Sequence, residues 1–568
     1  MTLTFEQYEY VRPNMDELEK QYEQLLEEFR QGDSVEAQSE TMEKINALAA
    51  DYSTQMNLSY IRSSIDTNDE FYQKEREFFD EASPRFQKLT TAYYKELMNT
   101  PHRAALEEKW GTQLFALAEC EIRSFSEEVM PLLQKENKLT SEYAKLVASA
   151  QIEYDGKTYT LAQLGPLAES KDRQVRKDVM NAQYSFYVEH QEQFDRIYDD
   201  LVKVRHEIAT TLGFENFVEL GYLRMQRVDY DKHMVARYRK QVEEHIVPIA
   251  TELYKRQAKR IGIEENDFKF YDQALDFLSG NATPKGSPEW IIENGKKMYK
   301  ELSPETDKFF TFMTEKHLMD LVAKKGKESG GYCTFIDNYE SPFIFSNFNG
   351  TSGDIDVLTH EAGHAFQVYS SRHIGIPEYI WPTHEGAEIH SMSMEFFTWP
   401  WMELFFEEDA DKYKFAHLSD ALLFLPYGVA VDEFQHVVYE HPEMTPAERN
   451  AAWREIEKKY LPFRDYDGNE YLESGGIWQR QTHIYEVPFY YIDYTLAQVC
   501  AFQFWHRSQE NFEDAWKDYV HLCSLGGTQS FTNLVKEAGL QSPFEEGTVK
   551  ETIQHVKSWL DKVDDTKL

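Results

Sequence analysis

One pentad constrains this chain more than any other stretch. His360-Glu361-Ala362-Gly363-His364 fits the pattern H-E-x-x-H. Residues four apart lie one turn apart on the same face of a helix. A helix through this segment, expected over 356–370, therefore points both imidazoles one way with Glu361 beside them. Two neutral nitrogens on one face can hold a single metal ion, and the neighbouring carboxylate can take a proton from water activated there, which is what a zinc peptidase needs. The plain alternative is a helix that carries two histidines by chance, and the surrounding sequence has to decide.

The rest of the chain reads as mostly helical. Only 26 Gly and 19 Pro interrupt 568 residues, below the usual share of about 12%, and Glu, Lys, Leu, Ala and Gln are plentiful. Aromatics at 14% and hydrophobics at 41% allow a large buried core. The net charge of −39 repels nucleic acid phosphates and anionic lipid, so neither is an expected partner. Cys120, Cys333, Cys500 and Cys523 form no C-x-x-C pair and suggest no disulfide framework. The first twenty residues are acidic and polar, unlike a signal peptide, and no run of about 18 apolar residues offers a membrane span. A cytoplasmic location is expected.

Along the chain, Leu18, Tyr22, Leu25, Leu26 and Phe29 form one apolar helical stripe, with Asp33 and Ser34 as candidate caps for the next helix. Asp155-Gly156 between short alternating runs marks a hairpin. It divides an N-terminal helical region, 1–165, from a body over 166–568. Residues 280–288 read as a linker. Two short strands are expected over 330–336 and 342–348, just before the pentad. Thr351, Ser352 or Asp354 can cap the helix that carries it. A strand edge beside that helix is a place where an extended peptide can pair its backbone.

A catalytic zinc takes three protein ligands and keeps one open position. The longer pattern with a third histidine is absent, because Gln367 and Ser370 stand where its Gly and His would be. Candidates for the third ligand are Glu378, His384, Glu385, Glu388, His390 and Glu395. Residues 386–397 read as a helix with Glu388, Ser391, Met392 and Glu395 on one face. Packed against the first helix, it can present Glu388 to the metal, while Glu395, two turns on, can hold an imidazole from behind.

HEAGHAF, then E-I-H-S-x-x-x-E, then the Tyr-rich stretch from His483 to Tyr494 resemble the zinc oligopeptidase family of oligoendopeptidase F and thimet oligopeptidase, most closely the bacterial oligoendopeptidase F and Pz-peptidase branch. The resemblance spans roughly residues 200–560. It implies a mainly α, two-lobed body with a deep central channel and a small sheet beside the zinc helix, the N-terminal helices forming part of the wall. It implies one zinc ion on His360, His364 and Glu388, with Glu395 behind them and Glu361 as general base. His483 and Tyr494 would stabilise the oxyanion. Tyr491 comes next, and Tyr485 and Tyr490 stay open because this spacing varies within the family.

The function expected is cleavage of internal bonds in short, unstructured peptides. A helical zinc carboxypeptidase is the alternative within enzymes, and an inert peptide-binding scaffold the alternative outside them. Cobalt or manganese would suit the same donors. Cleavage preference and oligomeric state are not written in the sequence.

Overall fold

The structure, a computed structural model, describes residues 3–568, so the first two residues of the N-terminal region lie outside it. Helices hold 72% of the chain, against about a third in an average globular protein. Three long helices, Met15–Gln31, Val35–Ile65 and Glu70–Asn99, open the fold. Leu18, Tyr22, Leu26 and Phe29 are buried along one face of the first, and Ser34 caps the second by accepting from Ala37 N at 3.1 Å. These helices share a core with Leu106, Leu114 and Phe115, which Ile376 and Tyr379 enter from the far side of the chain. A second, much larger core runs through the rest of the molecule.

The expected hairpin pairs Ile152–Tyr154 with Lys157–Tyr159, and Asp155 and Gly156 both take positive φ at its tip. Helices Arg173–Glu189 and Gln191–Thr211 follow it. Of the expected linker, residues 280–287 are a loop that leads into the helix Pro288–Leu302, whose N-cap is Ser287.

The small sheet has three strands where two were expected. Ser341–Phe348 lies in the middle, antiparallel to Tyr332–Ile336 and parallel to Met319–Val322. The four residues of Met319–Val322 are too few to show a period of two. Tyr332–Ile336 is an edge strand, and its Tyr332, Cys333 and Thr334 line the largest cleft described below.

Gly353–Ser371 is the pentad helix. Ser352 precedes it without a capping bond, and Asp354 turns back instead, accepting from the backbone of Asn349 at 2.8 Å and Gly350 at 2.9 Å. The helices His384–Phe397 and Phe512–Leu525 pack against it, and Tyr491–Glu510 packs on the other side of His384–Phe397 and against Ala410–Glu440. No helix among the described residues is long and apolar enough to cross a membrane.

Candidate metal centre

The pentad helix and His384–Phe397 meet backbone to backbone. A Cβ at Gly363 would stand 2.7 Å from the His390 carbonyl oxygen and 2.7 Å from Ser391 Cα. Only a residue without a side chain lets the axes come so close.

That approach carries Glu388 Oε2 to 3.2 Å from His360 Nε2 and 3.3 Å from His364 Nε2. The ligand atoms of the three residues lie within 4.8 Å of one another, the one such group of His, Cys, Asp or Glu among the described residues. Glu388 is fully buried. Ser391 Oγ donates to its Oε2 at 2.7 Å, and the Tyr490 hydroxyl donates to its Oε1. Burial pushes this carboxyl up, but the two imidazoles outweigh it and hold it well below the usual range.

A chain of hydrogen bonds orients His360 from behind. Glu395 Oε1 lies 2.7 Å from His360 Nδ1, and Glu395 Oε2 lies 2.7 Å from His417 Nε2. Trp399 Nε1, which can only donate, reaches His417 Nδ1 at 2.9 Å. His417 therefore carries its proton on Nε2 and donates to Glu395, and Glu395 accepts from Nδ1–H of His360. In the neutral form that binds a metal, His360 Nε2 would then be a lone pair facing the Glu388 carboxylate. Two acceptors at that distance repel unless a positive charge lies between them. A proton satisfies one such contact, whereas a divalent cation satisfies all three donors together. Two nitrogens and one carboxylate oxygen suit zinc, and the residues fit it.

Glu361 sits beside this group with 5% of its surface exposed, and its Oε2 has no hydrogen-bond partner. Burial raises its carboxyl, with His360 and His364 opposing. The centre opens into a cleft of about 730 Å³ whose walls include Tyr60 and Tyr143 from the N-terminal helices, the edge strand, His384, His483 and Tyr494.

A second directional chain ends at Tyr494. The Tyr427 hydroxyl donates to Gln481 Oε1 at 2.8 Å, which leaves the Gln481 amide to donate to His483 Nδ1 at 2.9 Å. His483 then holds its proton on Nε2, 3.0 Å from Tyr494 Oη. Burial pushes the His483 pKa down to about 4, so the ring is neutral at pH 7. With its oxygen accepting from His483, Tyr494 has its own O–H left to donate on the cleft wall, where its ring stacks on Tyr490.

Tyr491 is placed differently from the expectation. Its ring packs edge-on against Phe424 and Tyr427, and it lines a neighbouring cavity rather than the metal cleft. Tyr485 is buried in a stack on Tyr143, ring centroids 3.9 Å apart. Of the other carboxylates and histidines considered as ligands, Glu378 accepts from the Tyr94 hydroxyl at 2.6 Å, away from the centre. Glu385 is fully buried beside Asp493 and Arg227, and His390 lies under the helix crossing. His384 lines the cleft with its ring 4.4 Å from that of Tyr490. His417, Trp399 and Gln481 escaped the sequence reading, since a lone histidine, tryptophan or glutamine inside an apolar stretch carries no spacing signal.

The sequence signature of peptidase family M3 matches residues 166–553, and that of the peptidase M3 N-terminal domain matches residues 5–125. The structure of Pz peptidase A with an inhibitor is 62% identical, with a TM-score of 0.98 over 99% of this chain and 100% of its own. An oligoendopeptidase F homolog of Borreliella burgdorferi is 23% identical over 76% of this chain and 75% of its own length. Oligoendopeptidase-F from Enterococcus faecium, at 16% identity, shares the fold with a TM-score of 0.64 over 98% of this chain and 99% of its own.

Proposed function

Because the chain belongs to peptidase family M3, in its oligoendopeptidase F branch, it is a metallopeptidase, and we propose that it cuts internal bonds of short, unstructured peptides at a zinc ion held by His360, His364 and Glu388. One observation carries this reading: three donor atoms converge beside an unpartnered, buried Glu361, on the wall of a cleft that also holds the Tyr332–Thr334 end of an edge strand.

When bound, zinc supplies a Lewis acid that activates water and polarises the scissile carbonyl. The chain's own residues do the rest. The outer edge of the strand at Tyr332–Thr334 pairs with the extended backbone of the substrate, Phe335 O being taken by Asn57. Glu361 takes a proton from the attacking water and delivers it to the departing amine nitrogen, a task helped by burial, which raises its pKa above the ordinary carboxylate value. The O–H of Tyr494 donates to the developing oxyanion, and the Nε2–H of neutral His483 supports it. Glu395 holds His360 in the tautomer that leaves Nε2 free.

The N-terminal helices, residues 1–165, serve in this reading as part of the channel wall, since Tyr60, Tyr143 and Val147 face the cleft. Such a wall admits a flexible peptide and excludes a folded protein. Four free cysteines support a cytoplasmic setting.

The test is Glu361→Gln, assayed on a quenched peptide blocked at both ends. Zinc content is expected to stay at the wild-type level while turnover falls nearly to background. Turnover close to wild type would refute the role of Glu361.

A further inference from the structure

Arg480 ends the short helix Gly476–Arg480, three residues before His483, and it is the one Lys or Arg on the wall of the metal cleft among the described residues. Its guanidinium has five N–H donors, and the Tyr184 hydroxyl, at 2.9 Å, is the single side chain that takes one. No carboxylate pairs with it among the described residues, although the chain carries a net charge of −39. Other buried arginines are paired: Arg205 with Glu136 at 2.7 Å, Arg176 with Asp272 at 2.7 Å, and Arg227 with Asp493 at 2.9 Å.

The neighbourhood makes this vacancy in charge more costly. Arg464 and Arg480 share one aromatic ring, with their guanidinium carbons 5.2 and 5.9 Å from the Phe270 centroid. The carboxylate nearby, Glu457, is already taken by Arg464 and Arg454, both at 2.9 Å, and by the Tyr466 hydroxyl. Two like charges around one ring, with the nearby anion saturated, leave the Arg480 charge on the cleft wall without an anion of its own. A half-buried guanidinium in that position is stabilised by an anion with two oxygens, which its planar fork matches.

We propose that Arg480 receives a carboxylate of the bound peptide and so biases the enzyme toward substrates that carry one at a fixed distance from the cut bond. The chemistry fits either the C-terminal carboxylate or an Asp or Glu side chain. This deepens the peptidase reading and rests on it. Arg480 is a specificity residue here, outside the machinery that moves protons.

The experiment compares three forms of one N-acetylated peptide that otherwise lacks Asp and Glu: the free acid, the C-terminal amide, and amides with a single Glu moved along the sequence. The values of kcat and KM are measured for each, with products identified by mass. At least one carboxylate-bearing form is expected to show a KM about tenfold below that of the plain amide, with kcat unchanged. A response of the free acid identifies the chain terminus, and a response of one Glu position identifies a side chain. Arg480→Gln is expected to raise that KM to the amide level while leaving hydrolysis of the amide as it was. Arg480→Lys, which keeps the charge and loses the fork, is expected to fall between them. Equal KM values for all forms on the wild-type enzyme would overturn the proposal while leaving the peptidase reading intact. A preference that survives in Arg480→Gln would overturn it too. Hydrolysis of none of the peptides would instead fail the peptidase reading.

Discussion

Trp399 Nε1 donates to His417 Nδ1 at 2.9 Å, and this bond fixes the protonation of a centre neither residue touches. It forces the His417 proton onto Nε2, which donates to Glu395 Oε2, and Glu395 Oε1 in turn accepts from His360 Nδ1–H, so the other nitrogen of His360 is the bare one. Removing partners of this kind usually lowers metal affinity about 10–100-fold. Glu395→Gln and His417→Ala are expected to fall in that range, measured by competition with a chelator. Trp399→Phe, which only frees His417 to flip, is expected to cost less. Wild-type affinity in both Glu395→Gln and His417→Ala would remove the chain from the account of the site.

Gly363 is where the two ligand-bearing helices touch. Its missing side chain leaves room for backbone atoms, and those cannot rotate aside. Gly363→Ala is therefore expected to push His384–Phe397 outward, with a loss of about 1–3 kcal/mol of stability and weaker zinc binding. Thermal unfolding and zinc titration read the two effects separately. A variant as stable and as tightly loaded as wild type would show that the helix spacing does not set the centre.

Two sets of buried groups oppose each other as pH changes. Burial and acidic neighbours raise Glu169 to about 7 and Glu486 to about 8. The folded chain thus binds protons that the unfolded chain, with ordinary carboxyls near 4.3, has released. Their effect is that stability falls as pH rises from about 4.3 through 8. Burial lowers His384, His390 and His483 to about 4. Below about 6.5 the unfolded histidines take protons that the folded ones refuse, so stability falls again as pH drops. Above about pH 6.5 only the acids still titrate, so the thermal midpoint of the zinc-loaded protein is expected to fall between about pH 6.5 and 8. A midpoint that climbs steadily to pH 9 would contradict the burial of these acids.

Much of this site was legible because its chemistry is written at helical spacing. His360, Glu361 and His364 share one turn, and Glu388 with Ser391 shares one face of the next helix, so period alone groups them. The mainly helical class followed from few Gly and Pro residues, and the two longer strands from short runs on either side of the turn-prone residues 337–341. What stayed hidden depends on tertiary contact. Met319–Val322 becomes a strand only because Ser341–Phe348 lies beside it. Asp354 looked like a cap but serves the loop before its helix. Tyr491 and Tyr494 stand three apart on one helix, yet the cleft wall takes Tyr494, while Phe424 and Tyr427 enclose Tyr491. Gln481 and His417 matter through partners more than fifty and twenty residues away, at Tyr427 and Glu395.

The convergence of His360, His364 and Glu388 on one ion is tested most directly by elemental analysis of three dialysed proteins: wild type, Glu361→Gln and Glu388→Ala. One zinc per chain is expected in the first two, and Glu388→Ala is expected to lose it. Glu388→Ala that retains a full equivalent of zinc would contradict the assignment of the third ligand and, with it, the geometry of the whole centre.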